Sequence, residues 1–190
     1  MQSNKRTLCP KCERPDRVCL CEFVKPFETK IHFLILRHKT EVKHAFNTAK
    51  LCALSISNLL IEDGEDFSHN ETLLAFLKHK PLLVYPGKDT MDLSALTPLK
   101  SPTKHFILID GTWSKANKIY LTNKILHALP KLLIDTKSES DYLIRKSNKE
   151  GGISTLECVS EIGKALDCEV DYSTLDELFL GMVSLQKSFH

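Results

Sequence analysis

No run of about 18 apolar residues occurs anywhere in the 190-residue chain, so no segment reads as a membrane-crossing helix. The opening stretch, MQSNKRTLCPKC, lacks the apolar centre of a secretory signal. With no sign of export, the seven cysteines point to free thiols and a metal site rather than a disulfide framework, and the expected compartment is the cytoplasm. Internal repeats and low-complexity tracts are also missing, which leaves one ordinary domain with a small appendage. Surplus charge is scarce, at +2 overall, and by itself excludes little. Its distribution says more. Residues 1–50 hold 11 Lys/Arg against 5 Asp/Glu and residues 101–150 hold 9 against 5, whereas 51–100 and 151–190 are acidic. Two basic blocks on one small domain suit a phosphate-binding face, and equally a solvated surface of mixed sign.

What is present alternates between two periods. KIHFLILR (30–37), LLVYPG (82–87), HFILID (105–110) and KLLID (131–135) are short apolar runs that read as strands buried on both faces. From Val42 to Leu60 apolar residues recur at helical spacing, and the acidic IEDGED is expected to end that helix. Trp113, Ala116 and Tyr120 share a face of another helix. Two further helices open with capping signals, Ser154-x-x-Glu157 and Ser173-x-x-Asp176. Buried strands alternating with helices predict an α/β fold with a mostly parallel sheet and flanking helices. Ligands of such sheets bind beyond the carboxyl ends of the strands, here Arg37-His38, Tyr85-Pro86-Gly87, Asp110-Gly111-Thr112 and Asp135.

Four patterns carry chemistry. Cys9-x2-Cys12-x6-Cys19-x-Cys21 supplies the four thiolates of a tetrahedral Zn²⁺ site; paired disulfides and a redox CxxC are the competing readings. Cys52, Cys158 and Cys168 fall in helical patterns and read as packed thiols. Asp110-Gly111-Thr112-Trp113 places a carboxylate, a close-approach glycine, a capping hydroxyl and a stacking ring at one strand end, though Asp110 and Thr112 also serve as plain caps and Trp113 as plain packing. Gly151-Gly152 leading into Ser154-Thr155-Leu156-Glu157 exposes backbone N–H groups that suit a carboxylate or phosphate, and equally forms a capping box. Arg37, His38, Glu41, Lys43 and Asn47 make a polar set where the first strand meets its helix.

In order along the chain these residues resemble the DTW-domain family. The likeness runs through Cys9-Pro10-Lys11-Cys12, Arg14-Pro15, Cys19-Leu20-Cys21, His38-x-x-Glu41, Asn47-Thr48-Ala49, Tyr85-Pro86-Gly87, the naming Asp110-x-Thr112-Trp113, Tyr142-x-x-Arg145 and Ser154-Thr155-Leu156-Glu157. It departs where the family usually reads His-Pro, here His38-Lys39, which leaves that backbone φ unrestrained.

The resemblance implies a tRNA-uridine aminocarboxypropyltransferase that moves the 3-amino-3-carboxypropyl group of S-adenosylmethionine to N3 of a uridine. It implies a SPOUT-like catalytic domain over 28–190, with a C-terminal trefoil knot, behind a small four-cysteine zinc knuckle over 1–27. On that reading Asp110, Thr112 and Trp113 are catalytic, with Asp110 accepting or orienting the N3 proton. Leu83, Tyr85, Pro86, Gly87, Asp110, Gly111, Leu133, Asp135, Arg145, Ser154, Thr155 and Glu157 hold the donor. Arg37, His38, Glu41, Lys43, Asn47, Arg14 and Arg17 meet the RNA, with Lys5 and Arg6 adding charge, and Cys9, Cys12, Cys19 and Cys21 hold Zn²⁺. tRNA is the expected partner, without a membrane, and a monomer is expected, with the apolar face of the last helix as suited to a partner as to the core. A SPOUT-like RNA methyltransferase and a non-catalytic zinc-knuckle RNA-binding protein are the alternatives.

Overall fold

Six strands form one parallel sheet in the computed structural model, which describes residues 7–44, 47–98, 101, 103–134 and 153–187, with 186 and 187 as backbone only. The strands are β1 (His32–His38), β2 (Leu59–Gly64), β3 (Leu82–Val84), β4 (Met91–Asp92), β5 (His105–Asp110) and β6 (Lys131–Leu133), lying side by side in the order β2-β1-β5-β3-β6-β4. Five helices flank them: α1 (Thr48–Ser55), α2 (Glu71–Leu77), α3 (Trp113–Thr122), α4 (Thr155–Leu166) and α5 (Ser173–Lys187).

Side chains alternate across a strand, and both faces here are apolar. Phe33 and Ile35 of β1 join Phe106 and Leu108 of β5 in a core closed by α1, α4 and α5. Leu34, Leu36, Leu83 and Ile107 face the opposite way, onto α2 and α3. This two-sided burial explains why the strands read as continuous apolar runs rather than alternating ones. The chain lays down β1 and β2 toward one edge and crosses to β3, and β5 later fills the place between β1 and β3. A crevice at the carboxyl ends of the strands, where the order reverses, is where an open parallel sheet takes ligands.

The expected helix from Val42 to Leu60 is much shorter. Asn47 caps it, its side chain accepting from the Lys50 amide. Asn58 ends the following turn by donating to the carbonyls of Thr29 and Ile31. Leu59 and Leu60 then enter β2, paired with Phe33 and Leu34. The acidic IEDGED therefore supplies part of an edge strand instead of a helix stop. A half-exposed edge strand, with Leu59 buried and Leu60 exposed, left a trace that merged with the helical spacing before it.

The last two helices begin differently from one another. Ser154 and Glu157 form a complete capping box. At α5 the expected pairing of Ser173 with Asp176 is absent: Asp171 accepts from the Ser173 amide, while Asp176 accepts from Ser160 and pairs with Lys164. α4 and α5 meet at Gly163, against the buried ring of Tyr172. Cys52 and Cys158 are packed as expected, but Cys168 is exposed. Part of the C-terminal region where the trefoil knot is expected, 135–152, lies outside the described residues.

The cysteine segment docks on α5 rather than standing apart. Leu20 is fully buried in the main core, the Phe23 ring lies over Gly181, and Lys25 pairs with Glu177 at 2.6 Å.

Candidate active site

The carboxyl end of β5 delivers Asp110 to the rim, half buried. Thr155, the first residue of α4, donates its hydroxyl to Asp110 Oδ1 at 2.5 Å. The capping box fixes where that hydroxyl sits, because Ser154 and Glu157 lock the turn that carries it. The same box occupies the amides of Ser154 and Glu157. The expected donor groups at this turn are therefore narrowed to the amides of Thr155 and Leu156, which have no intrahelical partner. Burial raises the Asp110 carboxyl above the ordinary aspartate range; the Thr155 hydrogen bond opposes this, Glu41 and Asp63 add to it, and Arg37 opposes it. A carboxylate so placed is a stronger proton acceptor than one in water.

Register explains the cations and anions around it. Arg37 of β1 lies between Asp63 of β2 and Asp110 of β5, paired across the ladder with both. Its guanidinium grips Asp63 at two points, Nε to Oδ1 at 2.6 Å and Nη2 to Oδ2 at 2.9 Å. Arg37 is buried, and its Nη1 has no hydrogen-bond partner among the described residues.

The next residue, His38, is also buried. Its Nδ1 accepts from the Thr40 amide, and Nε2 stands 3.0 Å from Glu65 Oε1. Glu65 also receives Lys39 and Lys118, and the Lys118 contact is the first cause of its carboxyl being pulled down to about 2. Lys39, standing where proline is usual, therefore has a partner of its own. Gly111 follows Asp110 closely packed: a Cβ there would meet Lys115 Cβ at 3.1 Å and His38 Cβ at 3.5 Å. Lys115 in turn binds Glu41 at 2.6 Å.

Other expected site residues fall into distinct settings. Thr112 precedes α3 without a side-chain cap bond, and Trp113 is 48% exposed, so its ring is open rather than packed. Asn47 is occupied structurally, donating to the carbonyls of Glu41 and Val42 while capping α1. Lys43 and Arg17 are exposed. Tyr85 stacks on Tyr120 with ring centres 4.4 Å apart and donates to Asn117. Pro86, Gly87 and Leu133 are exposed nearby, whereas the Leu83 side chain is buried in the core and its amide is bonded to the Pro130 carbonyl. Leu83 is thus a packing residue, not a displayed one. Asp135, Tyr142, Arg145 and the Gly151-Gly152 pair lie outside the described residues, as do Lys5 and Arg6.

Arg14 corrects an expectation outright. It is buried, its Nη2 contacts Met182 Sδ, and its charge lies beside Cys12 and Cys19. Burial lowers its proton affinity and the two thiols oppose that. It braces the knuckle against α5 instead of facing solvent. Asp63, Glu65 and Lys115 are site neighbours that spacing did not suggest; only strand register could have found Asp63.

The four cysteine sulfurs converge, all within 4.8 Å of one another. Cys9 and Cys21 are 3.5 Å apart and Cys12 and Cys19 3.7 Å. These separations are too long for disulfides and close to the roughly 3.8 Å edge of a tetrahedron of sulfurs around zinc with Zn–S near 2.3 Å. Amides of Cys12 and Lys11 donate to Cys9 and lower its thiol to about 6, while burial and neighbouring thiols push Cys21 up to about 12. One thiolate thus forms easily while Cys19 and Cys21 are held protonated, a conflict that a bound cation resolves. The residues fit the metal.

A family model described as the DTW domain matches residues 6–187. The chain is 32% identical over 166 residues to tRNA-uridine aminocarboxypropyltransferase 2 of Drosophila melanogaster, covering 83% of this chain and 66% of that protein. It is 30% identical over 167 residues to the Mus musculus protein of the same name, covering 83% and 56%. Against tRNA-uridine aminocarboxypropyltransferase A of Arabidopsis thaliana identity is 22% over 195 residues, covering 86% and 74%. The chain therefore spans just under two thirds of the fly relative and little over half of the mouse one. No solved structure matches it.

Proposed function

Since the chain belongs to the DTW-domain family, we propose that it transfers the 3-amino-3-carboxypropyl group of S-adenosylmethionine to N3 of a uridine in tRNA. The observation that carries this reading is Asp110, the motif's acid, held half buried at the rim by Thr155 with its proton affinity raised. The donor supplies an alkyl carbon bound to a sulfonium, already a good leaving group, so the protein's task is positioning and removal of one proton. As N3 bonds to that carbon, the carbon–sulfur bond breaks, its electron pair stays on sulfur, and the N3 proton passes to Asp110. Methylthioadenosine leaves.

Trp113, exposed three residues beyond Asp110 at the start of α3, offers a face on which an unpaired uracil can stack; pairing would hide N3. Tyr85-Pro86-Gly87 and Leu133 border the donor on the neighbouring strand ends, with the amides of Thr155 and Leu156 available to its carboxylate. Lys43, Lys118 and Arg17 serve RNA phosphates. Cys9, Cys12, Cys19 and Cys21 hold Zn²⁺ as a structural ion. The knot and the SPOUT-like class belong to the same proposal, as does a cytoplasmic location.

The experiment is to incubate the protein with labelled S-adenosylmethionine and unmodified tRNA, and to identify both products by mass spectrometry. Methylthioadenosine with a uridine heavier by the aminocarboxypropyl group supports the proposal. S-adenosylhomocysteine with a methylated base would make the protein a methyltransferase, and RNA binding without either product would leave a zinc-knuckle binding module.

A further inference from the structure

Three charged residues lie in one row across three adjacent strands, Asp63 on β2, Arg37 on β1 and Asp110 on β5. The middle member is not shared evenly. Both bonds of the guanidinium fork go to Asp63, and none goes to Asp110. Arg37 is only 6% exposed, and its remaining nitrogen, Nη1, is buried without a partner among the described residues. A buried donor left unpaired is costly, so a carboxylate on the neighbouring strand is its natural partner. Asp110 instead takes a neutral hydroxyl from Thr155.

We propose that Asp63 is a positioning residue: its two-point grip on Arg37 keeps the guanidinium from pairing with Asp110 and so preserves Asp110 as a proton acceptor. This rests on the reading of Asp110 as the base for N3. A full Arg37–Asp110 ion pair would stabilise the carboxylate and weaken its hold on a proton, whereas an Arg37 already neutralised by Asp63 does so much less. Among the described residues, the remaining groups whose charge or hydrogen bonding bears on Asp110 do not repeat this control. Glu41, from the β1–α1 connection, is bound to Lys115 of α3. Cys52 of α1 is a buried thiol whose proton affinity is itself raised. Thr155 of α4 is uncharged.

The test uses the full chain with Asp63→Asn, which keeps the shape of the side chain but loses its charge, and Asp63→Glu, which keeps the charge. Asp110 is titrated directly by carboxylate carbon-13 NMR in the protein alone. The acid limb of single-turnover transfer is measured alongside. Asp63→Asn should move the Asp110 titration and the acid limb together to lower pH and reduce the plateau rate, and Asp63→Glu should restore both toward the parent. A residue that merely braces β2 would change stability without displacing the titration. An Asp110 titration unchanged in folded Asp63→Asn protein overturns the proposal. If Asp110→Asn transfers at the parent rate, the base reading falls on its own, while the NMR titration still decides whether Asp63 withholds Arg37. Should Asp63→Asn fail to fold, Asp63→Ser serves as the second variant. It too must move the Asp110 titration to lower pH, and no movement there is equally fatal.

Discussion

Gly163→Ala sets two effects of opposite sign against each other. Alanine is favoured over glycine inside a helix by about 0.8–1.0 kcal/mol, and Gly163 lies within α4. Against this, a Cβ at residue 163 would stand 2.1, 2.2 and 2.3 Å from three atoms of the Tyr172 ring, where carbon pairs prefer about 3.5–4.0 Å. The ring has little room to yield. It is 1% exposed, its edge meets Phe27 at 5.2 Å between centres, and its hydroxyl is bound to Thr29. Overpacking a tight core costs about 1–3 kcal/mol, and loss of the hydroxyl's bond adds roughly 1 kcal/mol. Packing wins: the net loss is about 1–3 kcal/mol, worth roughly 2–4 °C of Tm per kcal/mol for a chain of this size. Urea unfolding followed by circular dichroism measures it. A midpoint at or above the parent's would show that α4 and Tyr172 do not meet as described. Since α4 also carries Thr155, transfer should fall with stability.

Asp110→Asn should retain fold, donor binding and tRNA binding yet lose about a hundredfold to ten-thousandfold in single-turnover rate; a variant within threefold of the parent leaves Asp110 a structural residue. Purified protein should contain one equivalent of zinc, lost when Cys9 and Cys12 become serine, as read by elemental mass spectrometry; full activity and unchanged stability without metal would contradict a structural ion. His105, stacked between His32 and His79, is held down to about 4, by burial first and then by those two rings. Its unfolded value is near 6.5, so the unfolded chain binds more protons below that pH. Stability is then full above about pH 6.5 and lost as pH falls toward 4. His105→Gln should flatten this dependence in denaturation midpoints taken across that window, and an unchanged slope would remove His105 as its source.

The parts of the fold that announce themselves locally were readable from the residues. β1, β3 and β5 are continuous apolar runs because both faces of the sheet are covered there, β6 is a shorter run with Leu133 exposed, and the strand ends mark the rim that carries Asp110. The cysteine quartet and the Ser154–Glu157 box also depend only on near neighbours in the chain. What needed the third dimension was hidden. β2 is a half-exposed edge strand whose leucines continue the spacing of the helix before it. The grip of Arg37 on Asp63 and the reach of Thr155 to Asp110 join residues 26 and 45 positions apart, and depend on strand register and helix docking. Arg14 looked like a surface cation because a basic residue beside cysteines commonly is one; its burial follows from Met182, which meets it across 168 residues.

The burial of Arg14 bears on how an RNA can come near the knuckle. With the proposed zinc in place, four thiolates around a divalent ion would leave two negative charges, an unfavourable surface to offer a polyanion. Arg14, enclosed beside Cys12 and Cys19, cancels one of them from within. Because it is shielded from solvent, mobile ions screen this cancellation far less than they screen surface lysines. On the proposed function, a cation that never touches the nucleic acid would thus lower the electrostatic barrier to its approach.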